Sequence, residues 1–262
     1  MRSSFGKPLR LGVAGGGIAL VKAGRWGGAP AVLAEHPLEA GALDHADSVR
    51  AALAAVLEGH RGRPLTIVLA DDLVRLWQVV PPDNTTRLAD LEAAAALRFQ
   101  MLYGEPAANW TISAGWDPVR PFLAAAMPRA LLGALGQGAA LHQLKAVEIV
   151  PQFVAVLNRY ASALRPGAWF GVMHDNVLTL GAFDGRAIVA VRAAAVPDGA
   201  DAGWLAAHLA REALRLNLPA PERLQLWGGM PAGWLEAGCL PLGAGESGWS
   251  AVARLAASGS TA

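Results

Sequence analysis

Lysine is almost missing from this chain. Among 22 basic residues only Lys7, Lys22 and Lys145 are lysines, and 21 acidic residues leave a formal net charge of +1. Nucleic-acid or anionic-membrane binding by charge needs a basic surplus, and there is none. The excess of arginine, alongside the load of alanine and glycine, reads as coding bias rather than chemistry. Cys239 is the only cysteine. That excludes an internal disulfide and a thiolate metal cluster, and it fits a reducing compartment. Long apolar runs are missing too. No uncharged stretch reaches the roughly 18 residues of a membrane-spanning helix, and the N-terminal "MRSSFGKPLR" lacks the apolar core of a signal peptide. The six histidines (His36, His45, His60, His142, His174 and His208) form neither an i, i+4 pair nor an HExxH helix. No Gly-x-Ser-x-Gly elbow is present, so hydrolase chemistry of that kind is excluded.

What is present is a globular composition, 53% hydrophobic and 16% charged, in 262 residues that accommodate two small lobes. Leu9–Ala14, Ile18–Ala23 and Ala31–Glu35 read as strands. Asp44 and Asp47 offer caps for a helix to about Leu57, with Val49, Leu53, Val56 and Leu57 at helical spacing. Leu65–Ala70, "LTIVLA", reads as a strand covered on both faces. The pattern then recurs. Ala168–Met173, Val177–Phe183 and Arg186–Arg192 are strands, with Asp184-Gly185 as a hairpin signal. A helix over Ala202–Leu216 carries Leu205, Leu209, Ala213 and Leu216 on one stripe. Strand Arg223–Trp227 runs into Gly228-Gly229, and a short helix lies near Trp234. Two copies of one topology predict two related α/β lobes.

Between the copies lies an insertion, residues 71–150, predicted to be an α/β subdomain. It holds a strand in "LVRLWQVVPP", a helix from about Arg87 to Tyr103, and strands Trp110–Ala114 and Phe122–Ala126. A helix over Ala130–Leu141 and a strand over Leu144–Val150 complete it. The expected division is lobe 1 over 1–70, the insert over 71–150, a return helix over 151–166, lobe 2 over 167–255 and a frayed tail, "AASGSTA", over 256–262. Nine tryptophans are spread along the chain. Most are expected in the core, with Trp77 and Trp110 as candidate partner anchors.

The run "LGVAGGGIALVKA" raises the possibility of a phosphate loop. A nucleotide-triphosphatase loop needs Lys and Ser or Thr at a helix start, and a dinucleotide fingerprint needs a helix next. Ile18, Ala19 and Leu20 read as strand, so both fail. Asp71-Asp72 follow a buried strand, a position where active sites gather. No third metal ligand accompanies them, which favours a solvated crossing.

Several stretches, in this order, carry a family resemblance: "LRLGVAGGGIALVKA", "LADDLVRLWQVVPP", "AALRFQMLYGEPAANWTIS", "FLAAAMPRALLGAL", "LKAVEIVPQFVAVLNRY", "LTLGAFDGRAIVAVR" and "LQLWGGMP". From about Leu9 to Ala237 the chain resembles the actin-like ATPase superfamily, and within it the FtsA and PilM group. The cytoplasmic domain of GspL from type II secretion is a second relative. The resemblance implies duplicated ribonuclease H-like lobes with an α/β subdomain inserted in the first. A fourth subdomain is not expected, because "AAAVPDGADAG" and "NLPAPER" leave no room for one.

The resemblance also implies a nucleotide cleft between two hairpins, each carrying an Asp-x-Gly. Here Ala14 takes the place of the first metal-positioning Asp, with Gly15, Gly16 and Gly17 around it. Gly171 or Val172 falls near the second, with His174 and Asp175 close by as polar turn residues. Gly228-Gly229 matches the adenosine-side turn. The expectation is a pseudo-ATPase with no cofactor, ATP and Mg²⁺ entering only if the degenerate cleft still binds. The function so implied is a cytoplasmic scaffold of type IV pilus or related secretion assembly, peripheral at the inner membrane through its partner. That partner is the cytoplasmic N-terminal segment of a PilN-like inner-membrane protein, held in a groove that by position takes in Asp71, Asp72, Arg75 and Trp77. GspL-like docking of an assembly ATPase and an active actin-like ATPase or sugar kinase stay open as alternatives, as does a homodimer.

Overall fold

The computed structural model describes residues 8–22, 24, 30–243 and 248–258. Trp26, the first seven residues and residues 259–262 lie outside them. The strands are β1 (Leu9–Ala14), β2 (Gly17–Lys22), β3 (Ala31–Pro37), β4 (Pro64–Leu69), β5 (Arg75–Val79), β6 (Trp110–Ala114) and β7 (Phe122–Pro128). They continue with β8 (Lys145–Pro151), β9 (Ala168–His174), β10 (Val177–Asp184), β11 (Ala187–Ala195), β12 (Arg223–Gly228) and β13 (Cys239–Pro241). The helices are α1 (Ala46–Leu57), α2 (Leu88–Tyr103), α3 (Arg129–Leu141), α4 (Gln152–Tyr160), α5 (Ala202–Leu216) and α6 (Ala251–Ala257).

The chain folds into two compact units. The first comprises Met1–Val74, Pro128–Arg159 and Glu246–Ala262, and the second Arg75–Met127 and Tyr160–Gly245. The first unit holds a five-stranded sheet in the order β3-β2-β1-β4-β8. β1 and β2 are antiparallel, while β4 runs parallel to β1 and β8 parallel to β4. The second unit repeats this scheme as β11-β10-β9-β12-β13, and adds a three-stranded sheet in the order β5-β7-β6. The duplication expected from the pattern of strands is therefore present strand for strand.

Three boundaries differ from those expected. β8 pairs with β4 along its length, and α3 packs on α1, so both belong to the first lobe rather than to the insert. A strand that follows a helix after β4 completes the parallel edge of the first sheet, and apolar patterning alone cannot distinguish that edge from a local sheet. The insert proper is the β5-β7-β6 sheet with α2. The third difference is α6. Its last residues, together with Ser258, were expected in a frayed tail, yet Ala253, Leu255, Ala256 and Ser258 are buried. α6 lies on β1 and β2 and belongs to the first unit, whereas residues 251–255 were expected in the second lobe. A hairpin expected at Asp184-Gly185 turns one residue later, through Gly185 and Arg186, because Asp184 still pairs with Ala187.

Helix starts also depart from the reading. Asp44 sits in a short 3-10 turn, and His45 precedes α1 without a side-chain cap. Asp47 stands in the first turn, where its charge suits the helix dipole. α5 is capped by Asp201, whose carboxylate accepts the Trp204 N–H at 2.8 Å.

Candidate functional site

In the first unit, β1 and β2 close at the Ala14–Gly17 pair, leaving Gly15 and Gly16 as an exposed two-residue turn. Neither takes a left-handed conformation, and a Cβ on either meets nothing within 4 Å. The fold therefore does not require glycine at these two positions. Gly12 differs. A Cβ there would stand 2.5 Å from the Val252 carbonyl oxygen and 2.8 Å from the Ala256 nitrogen of α6. Ala14 is only 4% exposed and packs with Val68, Ala70, Val150 and Leu255. Its methyl group is thus part of an apolar cluster closed by α6.

Beside it, the Ala70 N–H donates to the Val13 carbonyl at 2.9 Å, which sets Asp71 next to the end of β1. Asp71 is buried, and its Oδ1 accepts the Phe153 N–H at 2.9 Å, in the first turn of α4. A carboxylate there satisfies one of the donors a helix start leaves open. Asp72 is exposed. Gln152 is 1% exposed, and among the described residues neither its Oε1 nor its Nε2 has a hydrogen-bond partner. Sequence reasoning missed Gln152; its signal was a polar residue between the apolar "IVP" and "FVAVL".

In the second unit, β9 and β10 close at the His174–Val177 pair through Asp175 and Asn176, with Asp175 at φ 48°. Register identifies the residue equivalent to Ala14. Val13 pairs with Leu69 in the first unit as Met173 pairs with Gly228 in the second. His174 therefore occupies the counterpart of Ala14, and the placement of Gly171 or Val172 there is corrected. Gly171 lies mid-strand against Leu224 and Leu226, and Val172 is buried. The His174 imidazole is buried, with Nε2 3.4 Å from the Asp175 carboxylate. Gly228 has φ 110°, and a Cβ on it would collide with the Met173 carbonyl, so the fold demands this glycine. Gly229 has open space around it.

The expected groove residues divide between the units, with Asp71 and Asp72 in the first and Arg75 and Trp77 in the second. Trp77 is 2% exposed, its ring centroid 5.4 Å from that of Phe99 in the core of the insert. Trp110 packs on Phe99 from the other strand at 5.5 Å. Both are core residues, which corrects their assignment as surface anchors. Arg75 is half-buried, its guanidinium over the rings of Trp110 and Tyr103 at 5.2 and 5.7 Å and 3.2 Å from the Glu105 carboxylate. Tyr103 donates to the Leu76 carbonyl at 2.9 Å, and burial raises its phenol pKa. Among the described residues no three His, Cys, Asp or Glu side chains are grouped to hold a metal, and no helix is long and apolar enough to cross a membrane.

No family model and no curated protein sequence matches the chain. Solved structures do. The chain is similar to a PilM-PilN type IV pilus biogenesis complex, with a TM-score of 0.62, 16% identity, and coverage of 90% of this chain and 88% of the other. It is similar to the cytoplasmic domain of EpsL, an inner-membrane component of the type II secretion system of Vibrio cholerae (TM-score 0.58, 13% identity, 94% and 91% covered). It is also similar to a Bacteroides thetaiotaomicron protein with an actin-like ATPase fold and unknown function (TM-score 0.59, 10% identity, 90% and 91% covered).

Proposed function

We propose that this chain, which has the actin-like fold, is a non-catalytic PilM-like scaffold of a type IV pilus or related secretion assembly system. It holds the cytoplasmic N-terminal segment of a PilN-like inner-membrane protein, and so works at the cytoplasmic face of that membrane through its partner. The fold likeness to a PilM-PilN complex and to a type II secretion component supports the assembly role. The observation that carries the non-catalytic reading is Ala14. Mg²⁺ requires oxygen donors, and the residue at the end of the first hairpin offers a methyl group packed against Val68, Ala70, Val150 and Leu255. Its counterpart His174 is a buried imidazole beside Asp175. These residues do not fit a metal-bound triphosphate, and no catalytic step is assigned to one.

An unfolded partner tail gains backbone hydrogen bonds and a few pocketed side chains when it binds. Asp72 and Arg75 are the residues of the expected groove that keep exposed surface. Calorimetric titration with ATP and Mg²⁺ tests the non-catalytic reading; micromolar binding with turnover would defeat it in favour of an active actin-like ATPase. Pull-down with the N-terminal peptide of a PilN-like protein tests the scaffold, and failure to retain the chain counts against it. The likeness to EpsL supports a second reading, GspL-like docking of an assembly ATPase. Retention by that ATPase but not by the peptide would select it.

A further inference from the structure

Three parallel strands of the first unit carry one polar row. Arg10 of β1 is in register with Thr66 of β4, and Thr66 with Glu148 of β8. Alternation along the strands puts this row on the face that also carries Gly12, Ala14, Val68 and Val150. That face is apolar beyond the row, where Leu255 of α6 and Val154 of α4 cover it. Arg10 and Thr66 are partly buried and Glu148 is exposed. The Arg10 Nε is fully buried, and among the described residues it has no hydrogen-bond partner and the Arg10 side chain is in no ion pair. Burial lowers its pKa; Glu148 opposes that shift and Arg159 adds to it.

A guanidinium is a planar fork of donors with no acceptor and stays charged. With its Nε buried and without an acceptor, it retains a cost of desolvation that the charge of Glu148 offsets only in part. The acceptor that best matches such a fork is an oxyanion. Charge narrows its class: Glu148 stands in the same row, and its carboxylate repels a dianionic phosphate more than a monoanion. A carboxylate meets the fork with two parallel hydrogen bonds, and the Thr66 hydroxyl stands one strand away as a further donor.

We propose that the Arg10–Thr66 step of this row is a carboxylate-binding site, with Arg10 as its receptor. This is independent of the reading of the cleft, because the row lies on β1, β4 and β8 near their N-terminal ends.

The test is nitrogen-15 NMR of the arginine Nε–H groups of the full chain, with the Arg10 signal assigned by its loss in Arg10→Met. Sodium acetate is expected to shift the Arg10 signal saturably, and sodium chloride at equal ionic strength to leave it unmoved. Inorganic phosphate is expected to act more weakly. Glu148→Gln removes the opposing charge and is expected to tighten acetate about twofold or more. Arg10→Lys keeps the charge without the fork and is expected to weaken it. Without acetate, Arg10→Met is expected to melt at or above the parent temperature, because it removes an unsatisfied buried donor. A short acetyl-capped tri-glutamate peptide forms a second arm. Tighter binding than acetate identifies an acidic partner segment as the source, and equal binding a small free carboxylate.

The proposal is overturned if acetate leaves the Arg10 signal unmoved while Arg10→Met and Glu148→Gln lower the melting temperature equally. That result means Arg10 closes on Glu148 in solution. Should Arg10→Met fail to fold, the Arg10→Lys and Glu148→Gln titrations decide the matter alone.

Discussion

Replacing Gly12 by alanine tests whether α6 closes the first hairpin. The added Cβ would lie 2.5 Å from the Val252 oxygen and 2.8 Å from the Ala256 nitrogen, both backbone atoms, so no side-chain rotation relieves the clash. α6 has to withdraw by up to about 1 Å, and a gap of that size forfeits roughly a quarter to a half of the dispersion contact across it. The contacts at stake are those of Ala253, Leu255 and Ala256, all buried. Overpacking of this kind costs about 1–3 kcal/mol. In a chain of this size each kcal/mol lowers the melting temperature by about 2–4 °C, so a cost of about 2 kcal/mol gives a drop of roughly 4–8 °C. Gly15→Ala and Gly16→Ala serve as controls. With no left-handed φ and no atom within 4 Å of the new Cβ, each is expected to stay within about 0.5 kcal/mol of the parent. Thermal melts followed by circular dichroism read all three, and amide exchange in α6 is expected to speed up only in Gly12→Ala. If Gly12→Ala melts together with the two controls, α6 does not rest on β1, and the account of Ala14 as a covered methyl fails with it.

Other outcomes follow from the same geometry. Asp71→Ala removes the acceptor of the Phe153 N–H and is expected to cost about 1–2 kcal/mol in denaturant melts, Asp71→Asn less, and the exposed Asp72→Ala within about 0.5 kcal/mol. Trp77→Ala empties the core of the insert and is expected to cost about 3–5 kcal/mol; a loss below 1 kcal/mol would return Trp77 to the surface. Burial pushes the Cys239 thiol up to about 12, so it should resist a thiol reagent at pH 8 until denaturant is added, and its contribution to stability is lost as pH rises above about 8.5. Burial holds the His208 imidazole below its ordinary value, against a partial rise from Glu212. The unfolded chain therefore takes up this proton first, so stability falls as pH drops below about 6.5. Urea midpoints at pH 7.5 and 5.5 should differ less in His208→Gln.

Much of the fold was legible because each lobe states its topology in local patterns. The strand run "LTIVLA", the α5 stripe of Leu205, Leu209 and Ala213, and the strand before Gly228 are short-range signals, and they lie where expected. What was not legible depends on pairing across distance. β8 reads as a strand in isolation; only its register with β4 makes it the edge of the first sheet. α6 is a seven-residue helix of small side chains whose role is visible only through Gly12, about 240 residues earlier. At the site, the position of Ala14 was readable from the hairpin, but its counterpart was misplaced by two or three residues, because only cross-strand pairing shows that His174 is the last residue of β9. Trp77 and Trp110 were misread for a similar reason. Aromatic residues on a strand look alike whether they face a helix or solvent, and Phe99 of α2 decides the matter. Gln152 and Arg10 carry no motif at all, and stand out only as buried polar atoms without hydrogen-bond partners among the described residues.

The separation of α6 from Gly12 along the chain bears on how the protein is made. Gly12 and Ala14 are synthesised about 240 residues before Leu255 and Ala256 of α6, which cover them. At about 5–20 residues per second, this face of the first sheet is without the α6 part of its cover for roughly 12–50 s of synthesis. During that interval β1, β4 and the residues around Ala14 form an open apolar surface on a nascent chain. Molecules truncated before α6 would keep that surface open, and are expected to aggregate and to be captured by chaperones more readily than the chain with α6 in place.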